Sequence, residues 1–169
     1  DLGSHYAPGS EDITHWTRTV PRRLGSGPWS DLFAGWNHRG AIRKDGSLWV
    51  WGENHYGQIG DGTRESREKP VPVESSAAWS QVDCGWNHTV GIQKDGSLWA
   101  WGNNEFGQLG DGTTGVRIVP FRIGTSTDWS LVSAGDFHTL AIKKDGSLWS
   151  WGLNRDGQLG DGSTRGKLS

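Results

Sequence analysis

The chain has 169 residues, and its 17 basic and 19 acidic side chains leave a net charge of −2. That balance excludes a global electrostatic footprint for nucleic acid or anionic lipid. With 27 glycines, 12 tryptophans and 33% hydrophobic residues, the composition describes a turn-rich β chain with an aromatic core and excludes a helical bundle.

Residues 1–28 look like the degenerate end of an earlier repeat. Leu2-Gly3 precedes Val20-Pro21 at nearly the spacing that separates Trp51-Gly52 from Lys69-Pro70. A spare outer strand is expected from Thr19 to Leu24. The basic cluster of Arg18, Arg22 and Arg23 fits a solvated strand edge. A start at Asp1 without methionine is expected to reflect processing, trimming or excision from a longer chain.

From Trp29 onward one period governs the chain. KDGSLW recurs at Lys44–Trp49, Lys94–Trp99 and Lys144–Trp149. Trp29, Trp79 and Trp129 keep the same 50-residue interval, as do His38, His88 and His138 and the Trp-Gly pairs at Trp51, Trp101 and Trp151. So do GQIGDG at Gly57–Gly62 and GQLGDG at Gly107–Gly112 and Gly157–Gly162. The repeats run 29–78, 79–128 and 129–169, the last truncated. Periods of this length mean solenoids, propellers or arrays.

Around the second copy four short strands are expected: Val71–Val73, Trp79–Gly85, His88–Gln93 and Ser97–Gly102. Lys94-Asp95-Gly96 joins the last two, because an Asp-Gly step supplies the positive φ of a tight hairpin. SLWVWG does not alternate, so its sheet is expected to be covered on both faces, with Trp49, Trp51 and their equivalents buried between or beneath neighbouring sheets. NHYGQIGDGT and its copies suggest ordered surface loops held by glycine turns. The expected fold is all-β: β-propeller blades of four antiparallel strands, in a partial propeller.

The chain stops at Ser169, where the next proline-containing strand should begin, so Ser147–Gly152 is expected to lack an outer neighbour. Open blade faces would leave tryptophan-lined surfaces in water. Further blades of a longer chain or other copies of this one are the expected cover.

Candidates for chemistry resolve into structural roles. His38, His88 and His138 recur without a second ligand type at metal-binding spacing, so each is expected to tie a loop to backbone within its own blade. Asp61, Asp111 and Asp161 lack the rest of a calcium-loop ladder and suit turn capping. Cys84 lies four residues before His88, yet Ala34 and Ala134 occupy its equivalent positions, which suits a small buried thiol rather than a nucleophile. As the one cysteine it forms no internal disulfide. Asn87-His88-Thr89 matches a glycosylation sequon, relevant only to a eukaryotic secretory route. No apolar run is long enough to span a membrane. No cofactor, metal or catalytic residue is expected.

What varies between repeats is the loop chemistry. Trp36-Asn37, Trp86-Asn87 and Asp136-Phe137 precede the three histidines, and His55-Tyr56, Glu105-Phe106 and Arg155-Asp156 occupy the long loops. Aromatics beside polar groups are the residue mix of interface hot spots, so these twelve positions form a candidate protein-binding face. The alternative is that the rings pack within the blade edges.

The motifs GWNHTVGI, KDGSLWAWG and NEFGQLGDG, in one 50-residue frame, resemble the repeats of the regulator of chromosome condensation family from Trp29 to Thr164. The resemblance implies a propeller, most often seven-bladed, whose proline-containing strand is outermost. It also implies a non-enzymatic protein-binding or scaffolding module. Its alternatives are a tryptophan-based UV-B photoreceptor, to which Trp36 and Trp86 correspond and Asp136-Phe137 does not, and a guanine nucleotide exchange factor for a small GTPase. That factor's inserted wedge has no counterpart in these even repeats. A secreted β-lactamase-inhibiting relative implies loop aromatics that bind an enzyme. The DGSLWAWG style is similar to bacterial, extracytoplasmic members.

Overall fold

The structure is a computed structural model that describes residues 20–21, 23–24, 27–75 and 77–169. Within each 50-residue frame a hexapeptide sets the local geometry. In the first copy Gly46 takes φ +86°, a left-handed conformation that only glycine enters without strain. Asp45 Oδ1 accepts from the Ser47 amide at 2.9 Å and the Ser47 hydroxyl at 2.7 Å, and that hydroxyl oxygen accepts from Trp49 Nε1 at 3.1 Å. The second and third copies repeat the network. KDGSLW is therefore a self-closing hairpin that fixes the strand register of the tryptophan after it.

The hairpins assemble antiparallel sheets. The first holds β1 (Trp29–Ala34), β2 (His38–Arg43), β3 (Leu48–Gly52) and β4 (Arg67–Val73), paired in chain order. The second holds β5 (Trp79–Cys84), β6 (His88–Gln93), β7 (Leu98–Gly102) and β8 (Arg117–Ile123) in the same order. The third has three strands, β9 (Trp129–Ala134), β10 (His138–Lys143) and β11 (Leu148–Gly152), with one isolated antiparallel bridge from Gly152 to Lys167. Among the described residues there is no helix, and none that could cross a membrane.

Two expectations change here. Val71–Val73 pairs with β3, so the proline-containing strand closes the sheet begun at Trp29 and does not open the next one. Proline is tolerated there because β4 is an edge strand. The expected strand over Thr19–Leu24 falls partly on Thr19 and Arg22, outside the described residues. Val20, Pro21, Arg23 and Leu24 belong to no strand.

The sheets stack face to face, and two apolar clusters fill the gaps. Phe33, Ile42, Leu48, Val50 and Ile59 meet Trp79, Val82, Cys84 and Trp101. Val90, Ile92, Leu98, Ala100 and Leu109 then meet Trp129, Val132, Ala141 and Trp151. Backbone links reinforce the stack: the Trp79 amide donates to Gly46 O at 2.9 Å and the Trp129 amide to Gly96 O at 3.2 Å. Gln81 and Asp83 reach from the second sheet to the third, where Gln81 Oε1 accepts from the Val132 amide at 3.0 Å and Asp83 Oδ2 from the Ala134 amide at 2.8 Å.

Burial of the repeated tryptophans is uneven, a correction to the expectation. Trp101 and Trp151 are buried, each packed on the preceding sheet. Trp49, Trp51 and Trp99 are half-buried, and Trp149 is 49% exposed. Position in the stack decides: identical residues are buried only where a neighbouring sheet covers that face.

Candidate functional site

Each long loop is organised by one asparagine that sequence reasoning passed over. Asn54 Oδ1 accepts from the Ile59 amide at 2.9 Å, while its Nδ2 donates to the carbonyls of Thr63 and Glu65, both at 3.1 Å. Asn104 and Asn154 do the same work in the other copies. Asp61 caps the following turn by accepting from the Thr63 amide and hydroxyl, and pairs with Arg67 at 2.7 Å. Asp111–Arg117 and Asp161–Lys167 repeat the pair at 2.7 Å. These loops are not purely surface: Ile59 and Leu109 are fully buried and plug the gap between sheets.

His38 and His88 act between blades, not within them. His38 Nε2 lies 2.9 Å from Thr89 Oγ1 in the next sheet, and that hydroxyl donates to Gln58 O at 2.7 Å. His88 meets Thr139 at 3.1 Å, and Thr139 donates to Gln108 O at 2.8 Å. Because each hydroxyl spends its one proton on the glutamine carbonyl, the histidine must donate from Nε2. The same carbonyls accept from the indoles of Trp101 at 3.0 Å and Trp151 at 2.9 Å. Burial pushes His38 down to about 4, with help from Arg39, and His88 down to about 3, with help from His38 and His138. Cys84 is buried, and burial pushes its thiol up, away from thiolate chemistry. Among the described residues no three His, Cys, Asp or Glu side chains converge as metal ligands.

This relay holds the β1–β2, β5–β6 and β9–β10 loops beside the long loops, and there the aromatic residues meet. Trp36 and Trp86 have ring centroids 5.5 Å apart, Trp86 and Phe137 5.0 Å, and Phe137 and Phe106 5.2 Å. The four rings make one continuous row across three sheets. Trp36 is 67% exposed, and the other three are half-buried. Asn37 flanks the row and donates to Glu53 at 2.7 Å. Asn87 accepts from Gln58 Nε2 at 3.2 Å, and Asp136 O accepts from the Trp86 amide at 3.2 Å. Glu105, Asp136, His55, Tyr56, Arg155 and Asp156 are exposed. Of the twelve expected positions, then, four rings touch one another. The acidic and amide groups border them, and His55, Tyr56, Arg155 and Asp156 make no ring contact with the row.

The third repeat departs from the pattern at a cost. Gln58 satisfies its amide on Asn87, but Phe137 stands where Gln108 would find the equivalent asparagine, and Gln108 Nε2 is buried with no partner. An unpaired buried donor costs about 1–3 kcal/mol. Phe137 is nonetheless the ring that joins Trp86 to Phe106.

Stacked antiparallel blades, locked by loop-to-blade hydrogen bonds and carrying side chains on the loops at one end, define a repeat β-propeller. The chain belongs to the regulator of chromosome condensation (RCC1) repeat family, whose repeat model matches residues 45–92 and 95–142. A second model of that repeat matches 29–58, 79–108 and 129–158. Solved structures agree in fold. Human WBSCR16 is 24% identical, with a TM-score of 0.79 over 89% of this chain and 42% of its own. Yeast RCC1 (Prp20) bound to Kap60 is 22% identical, with a TM-score of 0.75 over 83% of this chain and 36% of its own. Prp20p from Saccharomyces cerevisiae, studied for binding to Gsp1p and histones, gives 22% and 0.76 over 83% of this chain and 37% of its own. The chain thus spans less than half the length of each.

Proposed function

We propose that this chain is a non-enzymatic protein-binding or scaffolding module that presents loop side chains at one end of its propeller blades. One observation carries the reading: Trp36, Trp86, Phe137 and Phe106 form an unbroken row drawn from all three sheets, at an end where the strands themselves are closed off by loops. Large aromatic rings in contact, partly open to water and bordered by polar groups, are what hot spots are made of. Further blades, or other copies of the chain, are the proposed cover of the open sheet faces. Affinity capture with the wild-type chain beside a Trp36→Ala/Trp86→Ala variant tests the reading. Bound proteins should be lost with the rings while the circular dichroism spectrum is kept; full retention would place binding elsewhere.

A second reading, a UV-B photoreceptor, is favoured by the 5.5 Å separation of Trp36 and Trp86 alone. It requires basic–acidic pairs around the rings. The described ion pairs are spent inside the long loops, as Arg67–Asp61 and Arg117–Asp111 are, or at the hairpin end, as Lys143–Asp128 is. UV-B illumination followed by size-exclusion chromatography should leave the elution volume unchanged. Nucleotide exchange on a small GTPase is the third reading, and no wedge-like insertion interrupts the repeats to support it.

A further inference from the structure

We infer that the aromatic row receives an extended peptide segment carrying arginine or lysine side chains; this deepens the protein-binding reading above and rests on it. Three independent observations converge. The first is charge. Among the loop positions bordering the row, Glu53, Glu105 and Asp136 supply three carboxylates, the first hydrogen-bonded to Asn37, while Arg155 and Asp156 lie in the third long loop without touching the rings. Carboxylates at a rim select a cationic partner and repel phosphate, which sets nucleic acid aside.

The second is a precedent inside the molecule. At the hairpin end of the first sheet, the Arg43 guanidinium lies 4.0 Å from the Trp49 centroid and 5.1 Å from that of Trp29. Lys143 sits 4.9 Å from Trp129 and 5.2 Å from Trp149 in the third sheet. A blade of this chain thus already holds a cation between two tryptophans by quadrupole attraction. Among the described residues, no cation lies over the rings of Trp36 or Trp86 at the loop end.

The third is the cost already noted at Phe137. A buried Gln108 amide is left without an acceptor so that a ring can stand between Trp86 and Phe106. A break in the row at that point would separate Phe106 from the tryptophans. Continuity matters for an extended ligand, because strand side chains on one face recur every two residues, at roughly 6.6–6.8 Å. Ring separations of 5.0–5.5 Å are shorter than that repeat, so the unbroken row spans about two strand steps and keeps a ring within reach of successive same-face side chains. Cationic side chains would lie over the rings, and their donors would reach Glu105 and Asp136 at the rim. Arginine suits this best, since its planar guanidinium stacks and bonds a carboxylate at the same time.

The test is selection from a displayed library of random dodecapeptides on the wild-type chain, with counter-selection on Trp36→Ala. That residue is exposed, so its loss leaves the core intact, and circular dichroism checks this. Ring-dependent peptides should be enriched in arginine and lysine. Their affinity should fall at least tenfold on Glu105→Gln/Asp136→Asn and fall again when salt is raised. Ring-dependent peptides with no cationic enrichment, or with affinity untouched by the carboxylate changes, would overturn this inference and leave the protein-binding reading standing. If no peptide distinguishes wild type from Trp36→Ala, both fall.

Discussion

Single residues in this chain are judged by what lies across the blade gap. His38 and His88 are buried and donate from Nε2, while their Nδ1 atoms have no partner. Protonation would add a charge and an unpaired N–H to the interior. Their folded pKa values, about 4 and about 3, lie below the ordinary value of 6.5. Between pH 6.5 and 4 the unfolded chain therefore binds more protons than the folded one. Stability is fully present above pH 6.5 and falls as the pH drops, with a limiting slope of about 1.4 kcal/mol per pH unit for each histidine. Urea midpoints measured from pH 7 to 4.5 should show this loss, and His88→Gln should flatten it. Asp45, Asp95 and Asp145, held low by hydrogen bonds from Ser47, Ser97 and Ser147, lose their contribution at still lower pH.

The hairpin glycines make the same point sterically. Gly96 and Gly146 have φ of +83° and +86°, so alanine is strained at either by about 1–2 kcal/mol. A Cβ at Gly96 would also lie 2.1 Å from Thr127 O, whereas one at Gly146 meets nothing within 4 Å. Gly96→Ala should therefore lower the melting temperature clearly more than Gly146→Ala.

At the scale of the element, sequence identity and structural role part company. KDGSLW was legible because its chemistry is local: the Asp-Gly turn, the serine and the tryptophan satisfy one another within six residues. Burial was not legible, because it depends on a neighbour that the hexapeptide does not contain. Leu48, Leu98 and Leu148 hold the same position and are 1%, 0% and 65% exposed. Leu98→Ala should cost about 2–5 kcal/mol by denaturant unfolding, and Leu148→Ala well under that. Trp101→Ala, which also removes one of the two donors on the Gln58 carbonyl, should cost about 3–5 kcal/mol. A loss under about 1 kcal/mol would show that the Trp101 face is not packed. The functional loops divide the same way. Trp36 and Trp86 stood out as loop aromatics, but the contact of Phe106 with Phe137 joins different blades and has no sequence signal. The orphaned Gln108 amide becomes visible only when Gln58 with Asn87 is set against Gln108 with Phe137.

The three described sheets form a stack with two unlike outer faces. On the face of the first sheet away from the second, Leu32 is 79% exposed, although its equivalents Val82 and Val132 are 4% and 3% exposed against a preceding sheet. On the far face of the third sheet Leu148 is exposed where Leu48 and Leu98 are covered. Each internal junction pairs the far-face leucine and loop plug of one sheet with the tryptophan face of the next, so the two ends carry complementary halves of a junction already made twice. Such a contact is heterologous: it joins head to tail and leaves one half free on every copy until a ring closes. The isolated 169-residue chain should accordingly self-associate with concentration, as read by analytical ultracentrifugation. Leu32→Glu and Leu148→Glu should each block that growth, because each spoils one half. Mixing them decides the geometry, since the first variant keeps an intact far face and the second an intact near face. A one-to-one dimer in the mixture, with each variant monomeric alone, is the expected result; two variants that stay monomeric together would mean that the sheets do not stack across copies.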